Sequence, residues 1–243
     1  MLNSRIMTSR FSTRPLYLQV RDALAERIAG GEWKPSTAIP NESDLAGQFG
    51  VSPGTMRKAL DLLEAEHLLT RRQGRGTFVN DQASEELAVR YSNIRCGGGA
   101  RVGGDVELLS IAESPVSENE CMRLRVRMHE RVHRIRRLRF SEDRPYMLEE
   151  VVMPATLFPG LSEQVPSHRI VVLAQQFGIL LGKGEERITI ASASPDVARA
   201  LRVEPATPIL NLDRVVYTFD GRPAEWRVGR CHLSDEYYLA EFK

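Results

Sequence analysis

The chain has 243 residues, 42% of them hydrophobic and 27% charged, with a net charge of +1. That length suits one large or two ordinary domains with cores of their own, and no run approaches the roughly 18 apolar residues needed to span a bilayer. Three scattered cysteines and five histidines without paired spacing argue against a disulfide framework and against a metal site, and they fit a reducing cytoplasm.

Residues 1–14 are basic but lack an apolar h-region, so the expectation is a disordered arm rather than a secretory signal. Pro15 opens a helix to about Ile28, with Leu16, Val20, Leu24 and Ile28 one turn apart and Gly30-Gly31 as its stop. Trp33, Pro35 and Ile39 form a connector whose apolar residues plug a small core. Asn41 caps a short helix with Leu45, Ala46 and Phe49 on one edge and Gly50 at its end. Only Val51 separates that stop from Ser52, a second cap, and Pro53, which suits a first helical position. Met56, Ala59, Leu60 and Leu63 then recur at helical spacing. Two helices joined by so tight a turn match the helix-turn-helix of DNA readers, in which the second helix enters the major groove. A ribbon follows at once. Arg71, Arg72 and Arg75 surround a tip of Gln73, Gly74 and Gly76, and Thr77-Phe78-Val79 returns as a strand. Either half alone is commonplace, the corner in many helical proteins and the glycine turn in many hairpins. Their immediate succession reads as a winged helix-turn-helix over residues 15–80.

Charge agrees with this reading. Residues 1–79 hold eleven Lys/Arg against eight Asp/Glu, a net +3, which leaves −2 for the remainder. A basic head on an acidic body suits a nucleic-acid reader.

Here the chain resembles the GntR family of bacterial transcription regulators. Pro40, Glu42, Leu45, Ala46, Phe49, Val51, Ser52, Thr55, Arg57, Ala59 and Leu60, then Gly74, Gly76, Thr77, Phe78 and Val79, fit that family's motif run. The resemblance implies a DNA-facing set of Ser43, Ser52, Gly54, Thr55, Arg57, Lys58, Arg72, Gln73, Gly74, Arg75 and Gly76, with Arg57 as the foremost base reader. Ser43 and Pro53 stand where relatives often carry arginine, so the base preference does not carry over.

Residues 81–104 are polar and then glycine-rich, with Gly97-Gly98-Gly99 and Gly103-Gly104. They read as a linker, or, in their C-terminal part, as glycine N–H groups that cup an anion in a pocket. Residues 105–243 turn to strands at Val106–Ile111, Val132–Phe140, Met147–Val152, Ile188–Ser192, Ile209–Phe219 and Ala224–Leu233. Helices are expected at Ser117–Val126, Ile170–Phe177 and Ser194–Val203. His129 and His133 are expected to face solvent. Two blocks repeat at a constant offset: Ser117, Leu124, Val132, Arg137 and Phe140 answer Ser194, Leu201, Ile209, Arg214 and Tyr217. Each copy reads helix, strand, hairpin, strand. That predicts an α+β domain of two similar halves around one antiparallel sheet.

This block resembles the UTRA effector-binding domain that defines the HutC subfamily of GntR regulators and shares the chorismate-lyase fold. Arg137 and Arg139, i and i+2 on one strand, share a face and suit a carboxylate or phosphate. The resemblance places them, with Glu149 and Glu225, around an anionic effector. A solvated, salt-bridged sheet face is the plainer alternative. The whole then reads as a dimeric regulator, most often a repressor in such relatives, on a palindromic double-stranded DNA operator. No catalytic constellation, cofactor or metal motif, and no membrane partner, is legible. A chorismate-lyase-like enzyme and a non-regulatory nucleic-acid adaptor are the alternatives.

Overall fold

The computed structural model describes residues 14–82, 84, 91–102, 105–163 and 169–241; the expected arm over 1–14 lies outside them but for Arg14. The chain divides after Asp81 into two compact units.

In the first unit, α1 (Leu16–Ala29) buries Val20, Leu24, Ala25 and Ile28. In α2 (Glu42–Phe49), the Asn41 side chain accepts the Asp44 N–H at 2.9 Å. Gly50 closes it at φ +62°, the left-handed region that glycine enters without steric cost. α3 (Pro53–Ala65) starts with Ser52 accepting the Thr55 N–H, and it buries Met56, Ala59, Leu60 and Leu63, the four residues its spacing singled out. Strands β1 (Leu69–Arg72) and β2 (Gly76–Val79) pair antiparallel around the three-residue tip. Gly74 (φ +69°) and Gly76 (φ +108°) give the tip its shape. The connector pairs with the outer side of β2, with Ser36 N–H donating to Val79 O and Ile39 N–H to Thr77 O. Ile39 is buried, whereas Trp33 stays half-buried beneath the Arg27 guanidinium, 5.8 Å from its ring centre.

Part of the stretch expected as linker is structured. Ile94–Arg95 forms β3, paired with β10 (Tyr237–Tyr238), and both β3 residues are buried. The physical reason lies in Ile94, which packs on Tyr146, Met147, Leu212 and Cys231.

The second unit holds an antiparallel sheet in the order β4-β5-β6-β9-β8-β7. Its strands are β4 (Val106–Pro115), β5 (Arg131–Ser141), β6 (Arg144–Pro154), β7 (Leu181–Ser192), β8 (Pro208–Thr218) and β9 (Pro223–Cys231). Helices α4 (Glu118–Leu124), α5 (Ile170–Gln176) and α6 (Pro195–Leu201) complete it. The sequence repeat becomes two β-α-β-β halves, β4-α4-β5-β6 and β7-α6-β8-β9, joined where β6 pairs β9. Equivalent details recur. Ser117 and Ser194 cap the helices, and Arg125 and Arg202 end them in the left-handed region.

Strand alternation sorts the side chains. Val132 and Leu138 of β5, with Leu148 and Val152 of β6, pack under α4 and α6. Ile135, Val151 and Val216 face the other way, under α5. His133 falls on that second face and is fully buried, its Nε2 at 2.8 Å from the Phe158 carbonyl. The expectation of a solvent-facing His133 was therefore wrong: its odd position on β5 turns it inward. Ser52→Ala should cost about 1 kcal/mol by removing the α3 cap. Chemical denaturation of the full chain checks this, and an unchanged first transition would count against it.

Candidate nucleic-acid interface and effector cavity

The residues expected to face DNA lie on one α2–α3 corner and on the wing. Ser43, Ser52, Gly54, Arg57, Lys58, Arg72, Gln73, Gly74, Arg75 and Gly76 are exposed, and Thr55 is half-buried. Their side chains are not equally available. The Ser52 and Thr55 hydroxyls meet at 2.9 Å. Lys58 Nζ sits 3.9 Å from the Tyr17 ring centre, and the Arg72 guanidinium 4.7 Å from that of Phe78. Arg71 is drawn back onto Asp61 and Glu64 of α3. Arg57 is held from the side by Glu42 of α2, with Nη2 donating to Oε1 at 2.8 Å and Nε to Oε2 at 3.2 Å. The Glu42 carboxylate raises the Arg57 pKa. Glu42 was visible in the motif run, but its grip on Arg57 was not, because the two residues lie fifteen apart in sequence.

In the second unit the expected effector residues meet, though not in the expected way. Arg137 and Glu149 stand directly opposite on β5 and β6. Glu149 is fully buried and ion-pairs with three guanidiniums, accepting hydrogen bonds from Arg137 Nε at 2.5 Å and Arg227 Nη1 at 2.8 Å, with Arg139 Nε at 2.9 Å. Burial pushes its carboxyl up, but the three positive charges outweigh this and hold it well below the usual carboxylate range. Arg137, 5% exposed in its side chain, is spent on this contact, while Arg139 keeps 22%. Glu225 is likewise buried and takes Arg214 Nη2 at 2.7 Å. Arg227 continues to Glu186 of β7 at 2.8 Å, and the Tyr238 hydroxyl donates to the other Glu186 oxygen at 2.6 Å. Of the four predicted residues, only Arg139 lines the cavity above this network. Arg169, Arg214 and Arg227 line it too, with Tyr91, Tyr146, Glu186 and Tyr238. Burial pushes the Tyr146 hydroxyl up to about 12, so it stays a neutral donor.

Sequence reading missed Arg169, Arg214 and Arg227 as lining residues. A signal existed for two of them. Arg214 is the repeat-mate of Arg137, and allowing for the inserted Gly221, Arg227 is the mate of Glu149. The second half thus places an arginine where the first places a glutamate, and the two halves ion-pair across their junction. The floor and rim of the cavity hold five guanidiniums (137, 139, 169, 214, 227) against four carboxylates (105, 149, 186, 225).

The cavity measures ≈ 90 Å³, room for about three waters at ~30 Å³ each. A larger hollow of ≈ 470 Å³ lies on the opposite face of the sheet, beside Trp226 and α4. Its charges are matched: Arg134 forks onto Glu120, Arg136 reaches Asp196, and Glu150 takes Arg230. Size favours the hollow and charge favours the cavity. A surplus of guanidiniums over carboxylates selects by charge in a way that open volume does not, so the cavity is the stronger candidate. Among the described residues no cluster of His, Cys, Asp and Glu suits a metal, and no helix is long and apolar enough to cross a membrane.

Residues 16–79 match the family described as "Bacterial regulatory proteins, gntR family", and residues 103–237 match the UTRA domain. The chain is 31% identical to the Escherichia coli mannosyl-D-glycerate transport/metabolism system repressor MngR, over 91% of this chain and 93% of that protein. Its fold is similar to the ligand-binding domain of a GntR-family regulator from Bordetella bronchiseptica, with TM-score 0.58, 24% identity, and coverage of 63% of this chain and 98% of that one. It is similar also to PhnF from Mycobacterium smegmatis, with TM-score 0.55, 24% identity, and coverage of 92% and 99%. A reading head of this fold, joined to a duplicated antiparallel sheet, places the chain in the GntR family, in its HutC-type branch with a UTRA domain, as a DNA-binding transcription regulator and not an enzyme.

Proposed function

We propose that this regulator is a homodimer whose hold on a palindromic operator is set by a small anionic metabolite bound in the arginine-floored cavity. The observation that carries the reading is the excess of guanidiniums there. Five arginines against four carboxylates leave one net positive charge that an anion can satisfy in a partly desolvated site. The Escherichia coli relative is named for mannosyl-D-glycerate, and glycerate carries a carboxylate, which accords with such a floor. At ≈ 90 Å³ the cavity is smaller than the 300–1,000 Å³ usual for ligand sites. The ligand therefore selects a wider state, and its binding shifts the population toward that state. Repression relieved by the ligand is the favoured direction.

On DNA, Thr55, Arg57 and Lys58 face the major groove, and Arg72, Gln73, Gly74 and Arg75 the neighbouring phosphates and groove. Two-fold symmetry calls for half-sites about one helical turn apart, so a single asymmetric footprint would count against the dimer. Arg57→Ala should cost on the order of 1–3 kcal/mol in operator binding if the guanidinium reads a base, measured by titration at fixed salt. Glu42→Gln keeps the shape but removes the charge that restrains Arg57. Binding to random DNA should tighten while the ratio of specific to non-specific affinity falls. A ratio equal to wild type would remove Glu42 from recognition.

Arg139→Ala should abolish the ligand response while sparing operator binding, because Arg139 lines the cavity and Glu149 keeps Arg137 and Arg227. Thermal-shift screening against phosphorylated sugars and organic acids supplies the ligand. A full response in Arg139→Ala would move the site elsewhere. Glu149→Gln is a different experiment. Removing a fully buried carboxylate from three arginines should cost ~3–5 kcal/mol. Since the folded carboxyl is depressed below its ordinary 4.5, its contribution is complete above about pH 4.5 and is lost as the pH falls through the lower folded value. The stability gap between wild type and Glu149→Gln should therefore narrow in acid. A gap that widened would contradict the assigned ionisation.

A further inference from the structure

The face of the second unit's sheet that looks away from the cavity is only partly roofed. Val132 and Val152 pack with Leu124 of α4, and Leu138 and Leu148 pack under α6. Between those two apolar patches the same strands carry Arg134, Arg136 and Glu150, and the hollow of ≈ 470 Å³ opens over them. That volume lies within the 300–1,000 Å³ usual for small-molecule sites.

We propose that this hollow is a second ligand seat, distinct from the arginine-floored cavity, for a neutral, hydroxyl-rich ring such as a sugar or a cyclic polyol. Charge sets the first condition. Arg134 meets Glu120 at 2.6 Å, Arg230 meets Glu150 at 2.9 Å, and Arg136 pairs with Asp196. Three guanidiniums face three carboxylates, so a charged ligand has to break one pair and strand the other member. A hydroxyl both donates and accepts, and it adds to such pairs without breaking them. Polar groups stand ready for it. Arg136 Nε is buried without a partner among the described residues, and Ser110 and Asn119 line the hollow with side chains that no described residue takes up.

The wall sets the second condition. Trp226 is held in place, its Nε1 donating to Asp213 at 2.8 Å and its ring 5.5 Å from the Arg123 guanidinium. A fixed indole gives the C–H face of a saturated ring an apolar surface to lie on. A nucleobase calls instead for a slot between two flat walls. Among the described residues that line the hollow, Trp226 is the one aromatic, and its apolar neighbours Val152 and Val228 are branched rather than flat.

The seat backs directly onto the cavity. Arg136 stands opposite Glu150, and Arg137 opposite Glu149, in successive steps of the same register. The first pair faces the hollow and the second the buried network. Both sites therefore rest on β5, β6 and β9, and a ligand that shifts these strands from one side alters affinity on the other, reciprocally.

The test uses the full chain with Trp33→Phe, which leaves Trp226 as its only tryptophan. Titration with a panel of glucose, mannose, galactose, trehalose and myo-inositol should give a saturable change in Trp226 fluorescence with at least one member at millimolar concentration. Asn119→Ala alters an exposed side chain, and Glu150→Gln keeps the shape of a half-exposed one. Each should raise the dissociation constant about tenfold, with the circular dichroism of the parent. The parent should show no gain in affinity for glucose 6-phosphate over glucose at the Trp226 signal. A flat response across the panel would overturn the seat. Saturation by adenosine or guanosine in place of the sugars, or a preference for the phosphorylated sugar, would overturn the ligand class. A sugar signal lost in Arg139→Ala and kept in Asn119→Ala would move the sugar into the cavity. None of these outcomes bears on the anion reading, which the ligand response of Arg139→Ala decides separately.

Discussion

One buried carboxylate holds the sensor sheet in its present form. Glu149 lies on β6, at the junction of the two halves, and takes arginines from both: Arg137 and Arg139 from its own half and Arg227 from the other. Neither half could keep its charge alone. Arg137 without Glu149 would be a bare guanidinium in the interior, and Arg227 would lose the carboxylate that raises its pKa against the cost of burial. The duplicated fold makes the arrangement possible, since pairing β6 with β9 brings equivalent positions of the two copies side by side. At that junction one copy supplies an acid and the other a base.

Stability alone does not explain such a network. Buried ion pairs seldom outperform well-packed apolar residues of similar size, because desolvation takes back most of the attraction. Apolar packing was within reach here: the neighbouring positions Ile135, Val151 and Val216 on the same face form an ordinary core under α5. The charged patch instead stops where the α5 core ends and the β3–β10 cluster begins, and the cavity opens there. A network that keeps more guanidiniums than carboxylates beside a cavity is better understood as a prepared anion seat than as a support.

Much of this was legible in the sequence, and the exceptions share a cause. The caps at Asn41 and Ser52, the buried face of α3, the wing tip and the strand order within each half follow from residue type and spacing, which are local. The repeat exposed the two-fold plan of the sheet because two copies of one pattern must share one core. His133 was misread, since the parity that buries it depends on which face α5 covers. Strand β3 was missed because two residues carry no period, and Ile94 is placed by contacts with Tyr146 and Cys231 far along the chain. Of the two expected arginines only Arg139 lines the cavity, joined there by Arg214 and Arg227, for the same reason. Two arginines on one strand face look equivalent until the strand opposite supplies Glu149 to one more fully than to the other. What sequence spacing conveys is which face a side chain joins, and what it omits is the competition for partners on that face.

That competition bears on how a signal leaves the cavity. Arg139, Arg214 and Arg227 are each committed to a named carboxylate or carbonyl oxygen, and Glu186 divides its two oxygens between Arg227 and Tyr238. An anion entering such a site replaces bonds more than it adds them, and each bond displaced belongs to a strand or to the β3–β10 ribbon. Carrying an equilibrium from one state at 99% to the other at 99% takes about 5.5 kcal/mol of differential binding. A ligand that fits both states equally supplies none of it, however tightly it binds. A cavity with room for only a few waters refuses a metabolite in its closed state, so nearly all of the binding energy becomes differential. The tightness that makes the site look unsuited to a ligand is what allows a ligand to act as a switch.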